Sequence, residues 1–239
     1  AYGTELAEAC SGINAFALGA MAANPAAQVY VKVLNSWYDP ANETAFAEAL
    51  LQDGCDVITQ HCDTPNPQKA AQAAGVWGCG YNSDMTADAP KAHLVSAIWN
   101  WEVYYTAAVS AAIEGVQHFM QVMTKNWYHG IEDGFVDVSV STLNCAPGTR
   151  SAINKVKAML INGDFNVFEG RKLTITVTDG IATIAVSDYA MGDLVKGHSY
   201  APNFTITAGE QYLGEVNVAL VDGVIQGTMN QFVENVTLK

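Results

Sequence analysis

The chain has 239 residues, half of them hydrophobic and 15% charged, so it is long enough to bury a substantial core. Eleven basic against twenty-four acidic residues give a formal net charge of -13. Because such a charge repels phosphate backbones and anionic lipids, we expect no binding to nucleic acid or to a membrane surface. No apolar run reaches the about 18 residues of a membrane-spanning helix, and the first residues do not have the pattern of a signal peptide.

The cysteine content argues against a metal centre. The five cysteines form no CxxC pair, and the histidines are scattered, so the spacing does not suit zinc; the cysteines are Cys10, Cys55, Cys62, Cys79 and Cys145. We expect most of them to be buried thiols, with a Cys62–Cys79 bridge as the alternative. The sequence predicts no metal and no cofactor.

The first hundred residues alternate between helix and strand patterns. Apolar residues at helical spacing from Leu6 to Met21 predict a helix that ends near Asn24. Asp39-Pro40 and Asn66-Pro67 have the capping pattern that starts two further helices, and a glycine follows each of these helices. Short apolar segments predict strands at 29–34, 56–59, 76–80 and 93–98. Helices between short strands indicate a parallel sheet with right-handed crossovers.

The pattern changes after a helix predicted at 102–114. A strand at 135–140 and a helix at 149–161 follow. From about residue 171 the chain is rich in valine, threonine and glycine, which is typical of short strands and turns. The fold class is therefore α/β, with a second strand-rich part.

Polar and aromatic residues follow the predicted parallel strands, where open sheets bind ligands. The candidate binding residues are Trp37, His61, Asp63, Asn82, Asp84, Trp99 and Trp101. Tryptophan faces stack on planar ligands, and carboxylate or amide groups fix polar edges, so this set suits a planar neutral ligand. Each also has a structural interpretation: core packing for the tryptophans, a hydrogen-bonded histidine, and turns for the aspartates and the asparagine.

Three stretches carry a resemblance to a known family. They are "GINAFALGAMAANPAAQVYVKVLNSWYDPANETAFAEALLQDGCDVITQH", "DTPNPQKAAQAAGVWGCGYNSDM" and "APKAHLVSAIWNWEVYY". Together they resemble the basic membrane protein family, the purine nucleoside receptor type of ABC-transporter solute-binding lipoproteins. The resemblance covers about residues 10 to 170 and is thinner thereafter.

This resemblance implies a type I periplasmic-binding fold, in which a parallel sheet flanked by helices forms each of two lobes that close over the ligand. It implies capture of a purine nucleoside or nucleobase for the membrane permease of an ABC transporter, without chemistry. It also implies an extracytoplasmic location, in the periplasm or as a cell-surface lipoprotein. The cleft wall would contain Trp37, Asn82, Asp84 and Trp99 or Trp101, with His61 and Asp63 beside them. The family's acidic position at this strand end corresponds here to Asn82 or Asp84, and an asparagine where an aspartate is common favours a base over a nucleoside.

Two departures from the family concern domain organisation. The family begins with an amino-terminal lobe and the first strand of the second lobe, and this chain starts after both. We therefore expect residues 1–118 to form the second lobe without its first strand. Residues 119–239 would be a strand-rich remainder that returns to the other lobe, with an insertion near 174–207. The amino-terminal lobe is then either truncated or supplied by a second chain.

Two other function classes remain open from the residues alone. In a nucleoside-hydrolysing enzyme, His61, Asp63 and Asp84 would serve as general acid and base, although no activated nucleophile accompanies them. In a structural or interaction protein, a single lobe would expose the tryptophans of the open cleft, and a partner would cover them.

Overall fold

The computed structural model describes residues 1–123, 127, 129–168, 171–188, 229, 232–233 and 235–239. Its elements in chain order are α1 (Ala7–Ala23), β1 (Val29–Val31), α2 (Pro40–Gln52), β2 (Val57–Ile58), α3 (Asn66–Ala74), β3 (Trp77–Asn82), β4 (His93–Trp99), α4 (Trp101–Ile113), α5 (Val116–Val122), β5 (Val136–Val140), α6 (Thr149–Asn162), β6 (Arg171–Thr178), β7 (Ile181–Asp188) and β8 (Val236–Leu238). Among these residues, no helix is both long and apolar enough to cross a membrane.

Local sequence signals set the helix ends. The Asp39 carboxylate accepts a hydrogen bond from the backbone N–H of Asn42 at 3.2 Å, and Pro40 is the first helical residue of α2. Gly75 ends α3 with φ of 73°, in the left-handed region that glycine adopts without strain. The predicted helices are confirmed, while α5 is an element that the sequence analysis did not predict.

The central sheet has four strands in the order β2-β3-β4-β5. The first three are parallel, as predicted, and β5 runs antiparallel to β4, with Trp99 opposite Val136. β1 differs from the expectation of one continuous parallel series. It pairs with β8 instead, with Val29 opposite Val236, in a separate two-stranded sheet. β8 has only three residues, and a pattern this short does not allow the distant pairing to be predicted from the sequence.

Two structural observations concern the expected division of the chain after residue 118 and the expected insertion near 174–207. Position 118 lies inside α5, and β5 beyond it returns to the sheet of β2–β4, so this sheet extends across the expected boundary. β6 and β7 form an antiparallel hairpin that pairs Arg171 with Asp188 and contains the start of the expected insertion near 174–207. The rest of that insertion, 189–207, lies outside the described residues.

Among the described residues, two apolar clusters form the core. The first joins α1 to the carboxyl-terminal segment through Cys10, Ala17, Phe232 and Val236, and the second packs α2 and α3 around β2. Buried amides strengthen the first cluster. Asn14 accepts from the backbone N–H of Val233 at 3.0 Å. The Asn235 amide donates to two carbonyl oxygens, those of Ala17 and Ala27, at 3.3 Å each. Buried polar groups that find such partners hold α1 against the end of the chain.

None of the five cysteines forms a disulfide bond, and Cys10, Cys62 and Cys79 are buried. The expectation of mostly buried thiols is confirmed, and the alternative Cys62–Cys79 bridge is not formed. Burial, with a smaller contribution from Cys145, raises the pKa of the Cys79 thiol to about 12. A thiol with this pKa is protonated and poorly nucleophilic at neutral pH.

Candidate ligand-binding site

A cavity of about 710 Å³ lies at the edge of the sheet where the parallel strands end. Its wall includes Trp37 and Asp63 from the segments after β1 and β2, Asn82 at the end of β3, and Trp99 at the end of β4. The Asp63 backbone N–H donates to the Trp37 carbonyl at 2.9 Å, which ties the first two segments together. The volume falls in the range of about 300–1,000 Å³ that is usual for small-molecule sites.

Aromatic rings dominate the cavity wall. The seven rings belong to Trp37, Tyr81, Trp99, Trp101, Tyr104, Trp127 and Phe135. The six other than Trp37 contact one another, mainly edge to face, and Trp37 contacts the ring of His61 instead. Phe135 contacts three of these rings, with its ring centroid 5.3 Å from that of Trp101, 5.0 Å from that of Trp127 and 5.6 Å from that of Trp99. Aromatic pairs favour such tilted contacts, so the rings fix one another and present a preorganised apolar wall.

Four side chains add polar groups to this wall: Glu8, Asp63, Asn82 and His129. Glu8 projects from α1, and its Oε1 accepts a hydrogen bond from the Tyr81 hydroxyl at 3.3 Å. Asn82 has φ of 74°, a left-handed conformation that asparagine tolerates better than most residues, and β3 ends there. The site thus combines two carboxylates and one amide with the aromatic rings.

Tyr81 is held as a neutral phenol. Burial, followed by the negative charge of Glu8, raises the pKa of its hydroxyl well above the usual value near 10. At physiological pH the hydroxyl therefore remains a donor, and Glu8 occupies it as the acceptor. This pair links α1 to the end of β3 across the cavity wall.

His61 lies behind the wall rather than on it. Its ring stands edge-on between Trp37, at 5.7 Å, and Tyr81, at 4.1 Å between centroids. Its Nε2 lies 3.6 Å from the Glu8 carboxylate. Burial lowers the pKa of His61 to about 4, so the imidazole is neutral at pH 7. The structure therefore gives His61 a supporting position beside the cavity, not a place in its lining.

Asp84 also lies away from the cavity lining. Its carboxylate accepts hydrogen bonds from the backbone N–H of Thr86 at 3.0 Å and from the Thr86 hydroxyl at 2.5 Å. These hydrogen bonds lower the pKa of Asp84. Its Oδ1 is thus used within the turn after β3, and Asp84 is not among the residues that line the cavity.

The structure thus brings together five of the seven expected residues on one wall: Trp37, Asp63, Asn82, Trp99 and Trp101. The sequence analysis missed Glu8, which lies on the helix that precedes the first strand. It also missed Phe135, which directly precedes the antiparallel strand β5. Because β5 runs opposite to β4, its amino end meets the carboxyl ends of the parallel strands, and the Asn100 N–H donates to the Phe135 carbonyl there. For the remaining lining residues, the aromatic residues around Trp127 were the feature of the sequence that could have indicated them.

Over the described part of the chain, no group of three or more histidine, cysteine, aspartate or glutamate side chains has a metal-binding arrangement. The site is an open aromatic cavity at the carboxyl edge of a helix-flanked parallel sheet. This arrangement is typical of α/β proteins that bind small ligands at the carboxyl ends of parallel strands. The family model described as "ABC transporter substrate-binding protein PnrA-like" matches residues 2–164, and the chain belongs to this family. The resemblance inferred from the sequence is confirmed, and the family is one of substrate-binding proteins rather than enzymes.

Two curated relatives match over the same extent. A purine-binding protein from Brucella abortus (strain 2308) is 32% identical over 163 residues, which are 68% of this chain and 45% of that protein. A Haloferax volcanii protein with the name "putative ABC transporter glucose-binding protein" is also 32% identical over 163 residues, 68% of this chain and 40% of that protein. The matched region therefore spans less than half the length of either relative.

Two solved structures share the fold. An ABC transporter solute-binding protein from Conexibacter woesei has a TM-score of 0.51 at 19% identity, over 67% of this chain and 52% of that one. A transcriptional activator of the comK gene from Bacillus halodurans has a TM-score of 0.54 at 16% identity, over 64% of each chain. Both likenesses concern the fold alone.

Proposed function

We propose that this chain is the ligand-binding part of a solute-binding component of an ABC-type importer, and that its cavity holds a purine nucleoside or nucleobase without chemistry. The observation that carries the proposal is the concentration of seven aromatic rings, two carboxylates and one amide around a cavity of about 710 Å³. In this role the protein works outside the cytoplasmic membrane and passes its ligand to a membrane permease.

Stacking supplies most of the expected affinity. Purines are flat and have two large π-faces, and stacking of a base on an aromatic side chain contributes about 1–3 kcal/mol. Asp63 and Asn82 lie beside the rings, where they offer acceptors and donors to the polar edge of a base or to ribose hydroxyls. Two carboxylates in the same wall disfavour phosphates, so a nucleoside or base fits better than a nucleotide.

The choice between base and nucleoside depends on the end of β3. The residue that lines the cavity there is Asn82, which has an amide side chain. The carboxylate of the nearby Asp84 accepts a hydrogen bond from the Thr86 hydroxyl. A carboxylate that accepts two ribose hydroxyls is therefore not supplied by β3. This favours a nucleobase, with Asp63 as the remaining acceptor on the adjacent segment.

A sugar is the second candidate ligand. The name of the Haloferax volcanii relative mentions glucose, and the carboxylates of Glu8 and Asp63 could accept hydrogen bonds from sugar hydroxyls. We favour a purine because ring faces outnumber hydrogen-bonding side chains in the wall. A sugar would leave much of that aromatic surface poorly matched.

Hydrolysis of a nucleoside is disfavoured by the positions of its expected catalytic groups. Of His61, Asp63 and Asp84, only Asp63 lines the cavity. The lowered pKa of His61 leaves it neutral, and it packs edge-on between two aromatic rings. A general acid and base must both reach the reacting atoms, and this arrangement does not supply that pair.

The matched region covers less than half of the curated relatives. The proposal therefore includes a further part of the binding protein beyond the matched region. A closing lobe would be contributed either by further sequence of the same protein or by a second chain. Either source would cover the open side of the cavity and exclude water from the ligand.

Calorimetric titration with matched carboxylate variants tests the proposal. Asp63→Asn keeps the size of a side chain that lines the cavity, and Asp84→Asn makes the same change in a neighbouring turn outside it. We expect Asp63→Asn to weaken purine binding at least about tenfold, since a hydrogen bond to a charged group contributes about 1.5–3 kcal/mol. Asp84→Asn should bind as the wild type does. Equal affinities of wild type and Asp63→Asn, binding of glucose alone, or release of free base from a nucleoside would each overturn the assignment.

A further inference from the structure

The Glu8 carboxylate is held at the cavity wall by a fixed hydrogen-bond donor. Glu8 stands in the first turn of α1 and lines the cavity. Its Oε1 accepts a hydrogen bond from the Tyr81 hydroxyl at 3.3 Å, and the Nε2 of His61 lies 3.6 Å from the same oxygen. The Tyr81 ring is itself packed edge-on between His61 and Trp99, at 4.1 and 6.3 Å between centroids. The donor to Glu8 therefore has a set position, and so does the carboxylate.

The second oxygen of Glu8 is available to a ligand. Among the described residues, no donor is assigned to its Oε2, and the side chain is 46% exposed. Its two neighbours at Oε1 are neutral, because burial lowers the pKa of His61 to about 4 and keeps Tyr81 a phenol. The described lining of the cavity contains no lysine and no arginine. The charge of Glu8 therefore favours ligand groups that donate hydrogen bonds, since charge-assisted hydrogen bonds are the strong ones.

Purine bases differ in the hydrogen-bonding groups of the edge that carries N1. Guanine has two adjacent donors there, the N1–H and the 2-amino group, and a carboxylate can accept from both with its two oxygens. Hypoxanthine has the N1–H but lacks the amino group. Adenine presents the lone pair of N1, which a carboxylate repels, beside its 6-amino donor. Because aromatic rings stack on any of these bases, a fixed carboxylate is the feature of the wall that can distinguish them.

We propose that Glu8 determines the specificity of the cavity: its carboxylate accepts hydrogen bonds from the N1–H and the 2-amino group of a guanine ring, and Tyr81 is the positioning residue. This inference rests on the proposed purine-binding function and names its preferred ligand class, the 2-amino-6-oxopurines. The hydrogen bond from Tyr81 leaves a second lone pair on Oε1, so both oxygens of Glu8 can accept from the base. Asp63 differs from Glu8 because its backbone N–H, which donates to the Trp37 carbonyl, ties it to the wall.

Titration with guanine, hypoxanthine and adenine, followed by tryptophan fluorescence, measures this preference. The wild type should bind guanine at least about tenfold more tightly than hypoxanthine, because the missing amino group removes a hydrogen bond to a charged acceptor. Adenine should bind more weakly still. Glu8→Gln keeps the size of the side chain, and its amide can pair with an acceptor and a donor of adenine. This variant should lose at least about tenfold in guanine affinity and gain affinity for adenine. Glu48→Gln makes the same change at an exposed position of α2 outside the cavity lining, and it should keep the wild-type preference.

A second variant tests the positioning role of Tyr81. Tyr81→Phe retains the ring that packs against His61 and removes the hydroxyl that donates to Glu8. The ratio of guanine to adenine affinity should fall at least about threefold, while adenine affinity stays within about twofold of the wild type.

The outcomes separate this inference from the proposed function. A wild type that binds adenine as tightly as guanine overturns the role of Glu8. So does a guanine preference that survives Glu8→Gln, or one that Glu48→Gln reduces equally. In each of these results purine binding itself remains. Absence of binding for all three bases overturns the inference together with the proposed function.

Discussion

Replacement of Trp99 by alanine probes the aromatic wall most directly. The Trp99 ring lies 6.3 Å from that of Tyr81, 6.4 Å from that of Trp101 and 5.6 Å from that of Phe135, measured between centroids. Trp99→Ala should therefore remove a stacking surface for the ligand and also loosen three neighbouring rings. The loss of one stacked base contact costs about 1–3 kcal/mol, which corresponds to a dissociation constant about 5 to 150 times higher.

The free energy of unfolding should fall as well, because each aromatic pair contributes about 0.5–1.5 kcal/mol beyond its buried area. A second tryptophan separates the two effects. Trp77 starts β3 opposite Val57, at the other end of the strand from Asn82, and does not line the cavity. Trp77→Ala should lower stability without a change in ligand affinity. Calorimetric titration beside thermal denaturation measures both quantities. A Trp99→Ala protein that binds within twofold of the wild type, or a Trp77→Ala protein that binds as weakly, would refute the reasoning.

Three further predictions concern stability. Burial of the neutral imidazole lowers the pKa of His61 to about 4 and also lowers the pKa of the fully buried His93. The unfolded chain therefore binds more protons than the folded protein below about pH 6.5. The free energy of unfolding, measured by urea titration, should fall by a few kcal/mol as the pH drops from about 6.5 towards 4. His93→Leu should flatten that dependence. Gly80→Ala should destabilise by about 1–3 kcal/mol, since a Cβ there would collide with the Ser96 hydroxyl and the Gln68 amide, whereas Gly19→Ala in open space on α1 should stabilise by about 0.5–1 kcal/mol. Asp39→Ala removes the cap of α2 and should cost about 1 kcal/mol in the same assay, while the similar exposed change Asp88→Ala should cost less.

The elements that could be predicted are those with local causes. Asp39, Pro40 and Gly75 act on the helix ends beside them, so a sequence pattern suffices to locate α2 and α3. The parallel run β2-β3-β4 also follows from the chain, because short strands separated by helices or long connections favour crossovers. Once that sheet is predicted, the positions of Asp63 and Trp99 at one edge follow from strand direction alone.

The parts that could not be predicted depend on distant contacts. β1 pairs with β8 over a separation of 207 residues, from Val29 to Val236, and neither three-residue strand specifies its partner. Glu8 reaches the cavity because α1 packs beside the end of β3, and Phe135 reaches it because β5 is antiparallel. The sequence also could not show that Thr86 donates two hydrogen bonds to the Asp84 carboxylate, because these contacts depend on the geometry of the turn after β3.

The most direct test of the proposed function is a thermal-shift series with adenine, guanine, hypoxanthine, their three nucleosides and glucose. A ligand at about 100 times its dissociation constant adds about 2.7 kcal/mol to stability. For a chain of this size that gain raises the melting temperature by about 5 °C or more. We predict such a shift for at least one purine and none for glucose. A shift with glucose alone, or no shift with any purine, would contradict the proposal that this aromatic cavity is a purine site.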